Sequence, residues 1–345
     1  MKKTILFLLI SFGIQAVATA QKNYQITAVA FYNLENLFDA DDDPNNKGDD
    51  EFTPNGPMRY TEEIYKKKLL NLSRVLSELA TDKIPDGPAL VGVSEVENER
   101  VLRDLLQQPA LKDRGWRIVH FESNDYRGID VAMLYNPKYF KVLSANSVSV
   151  DISKDGKRES TRDMLHVTGI LSGDTVSVFV NHWPSRRGGE AASAWKRIKA
   201  ATVCKDIIDS VRKQNPRYKA IVMGDLNDDP INVSVVKGLN AQENKAKLKP
   251  DNMYNPWMTF YKKGIGTLGY GDSWNLFDQI LLTPTFLNKN VGGWQFYKAE
   301  IFSPQYLKSQ FGRFKGYPHR SFSNGQWIDG YSDHFPTIVY LIREN

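Results

Sequence analysis

Short apolar runs recur along this chain much more often than helical patterns do, and that ratio limits the folds it can adopt. Strand-like runs lie at residues 26–32, 89–95, 116–121, 131–135, 176–181, 220–224, 279–282 and 336–341. Residues 61–80, 99–107 and 191–213 instead place apolar side chains three and four positions apart, which is the spacing of one helix face. Because helices occur at intervals and not after every strand, the pattern predicts an α+β fold of two packed sheets flanked by helices.

The first 20 residues have the pattern of a secretory signal peptide. Lys2 and Lys3 precede an apolar stretch over residues 5–14, and Ala18-Thr19-Ala20 supplies the small residues of a cleavage site. The apolar stretch is shorter than the roughly 20 residues that span a bilayer, and an uncleaved interfacial anchor is the alternative. We predict a signal peptide at residues 1–20 and a single domain over residues 21–345. The mature chain is expected to be a monomer without a membrane span, exported to the periplasm or the medium.

The charge of the chain permits an acidic partner without requiring one. The formal net charge is +5, a mild excess that is compatible with binding to a polyanion. Basic residues are concentrated between residues 186 and 219, which contain ten lysines and arginines. A solvated helix face explains such a run equally well, so a nucleic-acid partner stays open at this point.

Six apolar runs or their flanks carry residues that bind metals or move protons. The six segments are Phe31-Tyr32-Asn33, Val93-Ser94-Glu95, Asn181-His182-Trp183, Gly224-Asp225-Leu226-Asn227, Phe277-Asp278-Gln279 and Ser332-Asp333-His334-Phe335. One such pair carries little information, because carboxylates and histidines meet on many surfaces. Six of them in one chain indicate a single active site assembled from distant segments.

The residue types in these segments indicate metal-assisted hydrolysis. Asn33, Glu95 and Asp333 offer the hard oxygen ligands that Mg²⁺ prefers. His182 and His334 are the two of five histidines that stand beside Asn or Asp at apolar strand ends. No pair of Cys or His has zinc-ligand spacing, and the chain contains neither a glycine-rich phosphate loop nor a Gly-x-Ser-x-Gly turn.

The order of these motifs along the chain resembles that of the endonuclease/exonuclease/phosphatase superfamily, the deoxyribonuclease I-like enzymes. The resemblance extends from Asn33 to His334 and is strongest at Gly224-Asp225-Leu226-Asn227 and Ser332-Asp333-His334. It implies a four-layer αββα sandwich, with the active site where the two sheets open at one edge. It also implies a Mg²⁺ cofactor, for which Mn²⁺ can substitute.

The resemblance further implies a role for each site residue. Glu95 would be the principal metal ligand, helped by Asn33 and Asp333. His334 would be the general base, oriented by Asp278, although Asp225 is a rival candidate for the base and would otherwise position the attacking water. Further roles fall to Asn227, which would hold a phosphate oxygen, and His182, which would donate to the phosphoryl oxygens or the leaving group.

The substrate contacts are less defined. Arg186 and Arg187, just after His182, are predicted to contact phosphate, and Arg127 and Arg162 are further candidates. Asp130 is a guess for the carboxylate that pairs with His182. Residues 238–271 and 295–328 are rich in aromatic and basic residues, which suits either a phosphate-rich ligand or the packing of long loops.

The function predicted from the sequence is a Mg²⁺-dependent phosphoester hydrolase, most specifically an exported, nonspecific nuclease with nucleic acid as its substrate. The main alternative is a phosphatase, or a sphingomyelinase-like or phospholipase C-type enzyme, that acts on small phosphate esters or phospholipid. An inactive binding module is the alternative from another class. The presence of every expected acid, base and ligand argues against it.

Overall fold

The computed structural model describes residues 23–44, 46–156 and 159–344, so the predicted signal peptide lies outside the described part. In chain order the strands are β1 (Tyr24–Leu37), β2 (Leu90–Val96), β3 (Arg117–His120), β4 (Asp130–Tyr135), β5 (Phe140–Val148), β6 (Met164–Leu171), β7 (Asp174–His182), β8 (Ala220–Asp225), β9 (Ala241–Gln242), β10 (Met253–Tyr254), β11 (Leu268–Tyr270), β12 (Ser273–Asn275), β13 (Asp278–Leu282), β14 (Gln295–Ile301), β15 (Phe322–Ser323), β16 (Gln326–Trp327) and β17 (Thr337–Glu344). The α-helices are α1 (Glu62–Glu78), α2 (Glu99–Leu106), α3 (Glu190–Gln214) and α4 (Trp257–Lys262).

Two mixed sheets contain most of these strands. The first has the order β14-β17-β1-β2-β4-β3, and the second has the order β5-β6-β7-β8-β13-β10-β9. Each sheet has a central parallel pair, β1 with β2 and β7 with β8, while most other neighbours are antiparallel. The remaining strands form two small hairpins, β11-β12 and β15-β16.

Two of the four α-helices of the described residues, α1 and α2, begin at a capping side chain. Thr61 Oγ1 accepts the backbone N–H of Ile64 at the start of α1, and Asn98 Oδ1 accepts that of Val101 at the start of α2. Such caps satisfy an amide that would otherwise lack a partner in the first turn. In α3 the basic residues of the last turn complement the negative end of the helix dipole.

Alternating residues of the central strands explain why the sheets stack between helices. In β1, Val29 and Phe31 pack between the two sheets, whereas Ala28 and Tyr32 on the opposite face pack under α1 and α2. A third apolar layer lies between the second sheet and α3 and contains Cys204. Both faces of the central strands are therefore buried, which is why their sequences read as continuous apolar runs.

The αββα arrangement predicted from the sequence is confirmed. All eight predicted strand runs and all three predicted helices are present. The sequence reading missed β5, β6 and β14, which are partly exposed, and it also missed the two- and three-residue strands β9, β10, β11, β12, β15 and β16, which are too short to form an apolar run. Among the described residues, no helix is long and apolar enough to cross a membrane.

Candidate active site

Both sheets end in polar residues at the same edge of the sandwich. Because β1 and β2 are parallel, as are β7 and β8, the carboxyl ends of each pair coincide. In the second sheet His182 is registered opposite Asp225, and Asp225 opposite Asp278. In the first sheet Asn33 is registered opposite the residue before Glu95. A hydrogen bond of 3.1 Å from Asn33 Nδ2 to Asp225 Oδ2 joins the two sheets at this edge.

The backbone at this edge adopts conformations that non-glycine residues rarely take. Glu95 has a φ of 59°, Asn36 of 54° and Asn227 of 48°. The pairing of β2 shifts register around Glu95, as in a β-bulge. A left-handed non-glycine residue costs about 1–3 kcal/mol and persists only where its surroundings impose it. The bulge thus aims the Glu95 side chain into the cleft between the sheets.

Two motif residues, Gly224 and Ser332, hold the backbone of the site in place. A side chain at Gly224 would bring a Cβ within 2.1 Å of the backbone oxygen of Asn181, so β7 and β8 approach closely only with glycine there. Ser332 Oγ donates to the backbone oxygen of Asn33 at 2.7 Å and accepts the backbone N–H of His334 at 3.1 Å. Ser332 therefore fastens the loop that carries His334 to the end of β1.

The first of two histidine corners, here called the His334 corner, contains a buried imidazole–carboxylate pair. His334 Nδ1 lies 2.7 Å from Asp278 Oδ2, and Asp278 is fully buried. The other ring nitrogen, Nε2, lies 3.8 Å from Asp225 Oδ2 and 3.9 Å from Asp333 Oδ1. Burial alone would lower the pKa of His334, but the Asp278 carboxylate, helped by Asp225 and Asp333, raises it well above its usual value.

The second, the His182 corner, has the opposite electrostatics. His182 Nε2 lies 3.6 Å from Asp225 Oδ2 and 3.8 Å from Glu95 Oε1. Its Nδ1 is buried and has no hydrogen-bond partner among the described residues. Burial, followed by the positive charges of Arg162 and Arg127, lowers the pKa of His182 well below its usual value. This imidazole is therefore neutral at pH 7.

The guess that Asp130 pairs with His182 is wrong. Asp130 Oδ2 lies 3.0 Å from His120 Nε2, and its Oδ1 accepts both the backbone N–H and the hydroxyl of Ser123. Asp130 is the first residue of β4, and its carboxylate pairs with His120. Sequence could not reveal this, because His120 and Asp130 meet only through the pairing of β3 with β4.

Glu95 lies between the two corners and has the charge that a metal ligand needs. Its Oε2 accepts the backbone N–H of Asn36 at 2.9 Å. Burial works against ionisation, but the positive charges of Arg127 and His334 outweigh it and hold the pKa of Glu95 below its usual value. A carboxylate kept ionised in a buried cleft suits cation binding.

The side-chain oxygen atoms around Glu95 are suitable ligands for a divalent cation. Asn33 Oδ1 accepts one hydrogen bond, from the backbone N–H of Glu35 at 2.8 Å, and keeps a second lone pair. Carboxylate and amide oxygens suit a hard divalent ion. Asp333, expected as a third ligand, has its Oδ2 bound by Arg320 at 2.9 Å. The structure thus brings Asn33 and Glu95 together and places Asp333 with Arg320.

Asp225 and Asn227 lie at the centre of the cleft. Asp225 Oδ1 accepts the backbone N–H of Asn227 at 2.9 Å. Burial raises the pKa of Asp225 to about 6, with the charge of Asp278 adding to the effect and that of His334 opposing it. Asn227 donates its side-chain N–H to the backbone oxygen of Trp183 at 2.9 Å. Asp225 therefore contacts both histidine corners.

Two of the four arginines singled out in the sequence lie against the site. Arg162 is buried and donates to the backbone oxygens of His182 and Trp183, and its Nη1 lies 3.2 Å from Asp125 Oδ2. Arg127 Nη2 lies 3.6 Å from Glu95 Oε2. Arg162 thus holds the end of β7 in place, whereas Arg127 supplies positive charge beside Glu95.

The other two arginines differ from each other. Arg186 donates to Glu190, to Asp229 and to the backbone oxygen of Asn227, so its guanidinium is occupied by protein groups. Arg187 is more exposed, and within the described part of the chain its guanidinium donates to the hydroxyl of Tyr126 at 3.2 Å and lies over the ring of the same residue. Of the two, Arg187 is the one with donors available to a ligand.

The basic stretch between residues 186 and 219 is largely neutralised inside the protein. Arg197 is fully buried, with its Nε 2.8 Å from Asp228 Oδ1. Lys219 donates to Asp174 at 2.5 Å and to two backbone oxygens. The clustering of positive charge in the sequence therefore does not create a basic surface of the same extent.

The sequence reading missed a charged network behind the site. Lys68 is fully buried and donates to the backbone oxygen of Glu35 at 2.6 Å and to Ser321 Oγ at 2.7 Å. Burial and the charge of Asp333 raise the pKa of Glu35 to about 7, and Arg320 Nε lies 3.5 Å from its carboxylate. The available signal was a lysine within the apolar stripe of α1, because such a residue needs a buried partner.

Comparison with solved structures shows the same fold over most of the chain. An endonuclease/exonuclease/phosphatase family protein from Bacteroides thetaiotaomicron is 14% identical, with a TM-score of 0.55, and the match covers 94% of this chain and 97% of that one. D. rerio TDP2 complexed with single strand DNA product is 15% identical, with a TM-score of 0.53 and coverage of 92% and 98%. A mannosyl-6-phosphatase from Bacteroides thetaiotaomicron is 14% identical, with a TM-score of 0.54 and coverage of 91% and 99%. These identities establish the fold alone, and a search of curated proteins found no match.

The αββα sandwich and the carboxylate, amide and histidine cleft at its edge define a class of metal-dependent phosphoester hydrolases. The model of the Endonuclease/Exonuclease/phosphatase family matches residues 28–343, and the chain belongs to that family. The family resemblance seen in the motif order is thereby confirmed.

Proposed function

We propose that this protein is an exported, Mg²⁺-dependent phosphodiesterase that cleaves nucleic acid without strict sequence specificity. The observation that carries the proposal is a cleft of about 370 Å³ beside the metal-ligand region, lined by Lys47, Arg127 and Arg187 with Glu51 as the opposing charge. A phosphate monoester needs cations only at the reacting phosphorus. Additional cations beyond that point suit the neighbouring phosphates of a polymer.

In this proposal the His334 corner handles the proton of the attacking water. Asp278 holds His334 Nδ1, so the tautomer is fixed and Nε2 faces the centre of the cleft. Asp278 also stabilises the imidazolium that forms when Nε2 takes the proton. Asp225, 3.8 Å from that nitrogen, positions the water between the two groups.

The His182 corner acts on the phosphate in this scheme. A neutral imidazole whose Nδ1 has no partner can carry its N–H on Nε2 and donate a hydrogen bond from it to a phosphoryl oxygen or to the leaving oxygen, without giving up the proton. The side-chain amide of Asn227 offers another hydrogen-bond donor close by. A divalent cation at Glu95 and Asn33 would stabilise charge on the phosphoryl oxygens and, by repulsion, disfavour the imidazolium form of His334.

A substrate panel tests this proposal. The mature chain is assayed with single-stranded DNA, RNA, bis(p-nitrophenyl) phosphate, p-nitrophenyl phosphate, a sugar phosphate and sphingomyelin, in Mg²⁺, Mn²⁺ and EDTA. We expect cleavage of nucleic acid and of the nitrophenyl diester, abolished by EDTA and restored by Mg²⁺. Turnover of a monoester or of sphingomyelin with intact nucleic acid would replace the nuclease assignment by the alternative function.

Export is tested separately. Cells that express the full chain are fractionated, and the N-terminus of the recovered protein is sequenced. We expect a mature chain that starts at Gln21 in the periplasm or medium. Recovery of the uncleaved chain with the membrane fraction would instead support the anchor.

A further inference from the structure

Two hairpins form one projecting unit beside the active site. One comprises residues 268–275 (β11 and β12), and the other residues 308–318, closed by a bridge between Lys308 and Pro318. We call these two segments the hairpin pair. Their bases pack through Trp274 and Tyr317, whose ring centroids are 4.5 Å apart, and Arg313 lies 3.7 Å from Asp272 across their tips.

The hairpin pair lies next to the His334 corner. The backbone N–H of Phe335 donates to the backbone oxygen of Thr267 at 2.8 Å, immediately before the first hairpin. Trp274 stacks on Phe335 at 6.1 Å. Arg320, just after the second hairpin, binds Asp333. The hairpin pair therefore borders the loop that carries Asp333 and His334.

Three aromatic side chains of the hairpin pair are not used for packing. Phe311 is 88% exposed, Tyr270 is 64% exposed and Phe314 is 55% exposed, whereas Trp274 and Tyr317 are packed at the base. Large apolar side chains grouped on one exposed unit are a common feature of binding surfaces. Packing of the loops explains the aromatic residues at the base of the hairpin pair. It does not explain the exposed rings at the tips.

The charges on the same unit favour a phosphate-bearing ligand. Arg313 is 70% exposed and lies between Phe311 and Phe314 in sequence. Lys315, which directly follows Phe314, is also exposed. Alternating rings and cations match a strand whose bases and phosphates alternate. A ring can stack only on a base whose face is free, and in a duplex the neighbouring base pairs cover those faces.

We propose that the hairpin pair binds unpaired nucleobases of a single-stranded substrate, with Phe311, Phe314 and Tyr270 stacking on bases and Arg313 and Lys315 contacting phosphates. This inference rests on the proposed nuclease function and specifies its substrate as single-stranded. With the cationic cleft beside Glu95, it gives the substrate contacts on both sides of the reacting phosphate.

The test compares the double variant Phe311→Ala/Phe314→Ala with the wild type. Dissociation constants are measured in EDTA for fluorescein-labelled single-stranded and blunt duplex oligonucleotides, and turnover of bis(p-nitrophenyl) phosphate is measured in Mg²⁺. We expect binding of the single strand to weaken about 5- to 100-fold, with duplex binding and nitrophenyl turnover within twofold of wild type. Tyr297→Ala, which removes an aromatic ring that is 53% exposed on β14, is the matched control and should change nothing.

Each other outcome overturns the proposal. Unchanged single-strand binding would remove the hairpin pair from the substrate path, and equal loss on the nitrophenyl diester would show that the substitutions disturb the reacting site. Loss of binding to phosphatidylcholine vesicles with unchanged oligonucleotide binding would assign the surface to lipid. A wild-type enzyme that cleaves the diester but no nucleic acid is a failure of the proposed function, whereas efficient cleavage by both wild type and variant is a failure of this inference alone.

Discussion

The His334 corner and the His182 corner present similar histidines to the same carboxylate, yet their charges differ. Both imidazoles are buried, and their Nε2 atoms lie 3.8 and 3.6 Å from Asp225 Oδ2. The pKa of His334 is raised and that of His182 is lowered. Since burial lowers the pKa in both cases, the difference comes from their other neighbours.

The two histidines differ in what surrounds the ring nitrogen that faces away from Asp225. His334 Nδ1 meets the Asp278 carboxylate, whereas His182 Nδ1 meets no hydrogen-bonding group among the described residues and Arg162 lies nearby. One corner is thus built to hold a proton and the other to stay neutral. His334 can therefore accept a proton as the base, whereas His182 can serve as a neutral hydrogen-bond donor.

The largest effect that tests this division is expected from His334→Ala. Removing the group proposed to take the proton should lower kcat by about 10²- to 10⁴-fold. The measurement is steady-state turnover of the nitrophenyl diester. His166→Ala, which removes a half-buried imidazole stacked on Phe179 outside the site, is the control. Turnover close to wild type in His334→Ala would exclude His334 from the chemistry.

His182→Gln is expected to have the next largest effect, a loss of about 10²- to 10³-fold in kcat, as for removal of a donor to developing charge. If its hydrogen bond stabilises charge on the leaving oxygen, the loss should be smaller for a nitrophenyl leaving group than for nucleic acid, because nitrophenolate is already a stable anion. Equal losses on both substrates would assign the hydrogen bond to a phosphoryl oxygen instead. No loss on either would leave His182 without a role.

Glu95→Gln separates metal binding from the histidine chemistry. Replacing an ionised carboxylate by a neutral amide should weaken activation by Mg²⁺ by at least about tenfold, measured as the midpoint of a metal titration. Glu97→Gln is the matched control. Burial raises the pKa of Glu97 to about 8, so that side chain is already mostly neutral at pH 7. Identical midpoints for the two variants would contradict the role of Glu95.

The charge difference itself can be measured in the metal-free protein. In EDTA at pH 7, histidine side-chain NMR should show His334 as imidazolium, since its pKa is raised, and His182 as neutral imidazole, since its pKa is lowered. Asp278→Asn should lower the pKa of His334, because it removes the principal negative neighbour, and should leave His182 unaffected. Two histidines that titrate together near pH 6.5 would remove the proposed asymmetry.

The smallest effects concern the arginines beside the His182 corner. Arg187→Gln should raise the KM for oligonucleotides about two- to fivefold, as for a single exposed cation. Arg186→Gln should leave KM nearly unchanged and instead lower the free energy of unfolding by about 1–3 kcal/mol, because it deprives buried Asp229 of a partner. Denaturant titration measures the stability of both variants, and oligonucleotide kinetics measures their KM, so the two expected effects can be separated. The opposite result would restore Arg186 as a phosphate contact.

Much of the fold could be predicted because its central strands are buried on both faces. Their apolar runs identified eight strands, and the regular apolar spacing of α1, α2 and α3 identified the helices. The longer strands that were missed are partly exposed, and a half-buried strand with short alternation leaves a weak signal. In the site, Asn33, Glu95, His182, Asp225 and Asp278 could be singled out because each stands at or directly beside the terminus of an apolar run.

Contacts that depend on pairing between distant strands or loops could not be predicted. Asp130 was assigned to the wrong histidine because β3, which carries its partner, is adjacent only in the folded sheet. Arg186 and Arg187 are neighbours in sequence, but one is enclosed by carboxylates from the loop after β8 and the other is exposed. Similarly, the aromatic-rich segment gave no sign of which rings pack and which, like Phe311, are left in solvent.

The sequence by itself therefore determined the layered architecture, the edge at which the site forms and the residue types gathered there, since these follow from local periodicity and from where each apolar run stops. Only the tertiary structure decided the charge of each histidine, the partner of each arginine and the exposure of the hairpin pair. The physical reason is that a pKa or an exposed ring depends on distances of a few ångströms between segments that are remote along the chain.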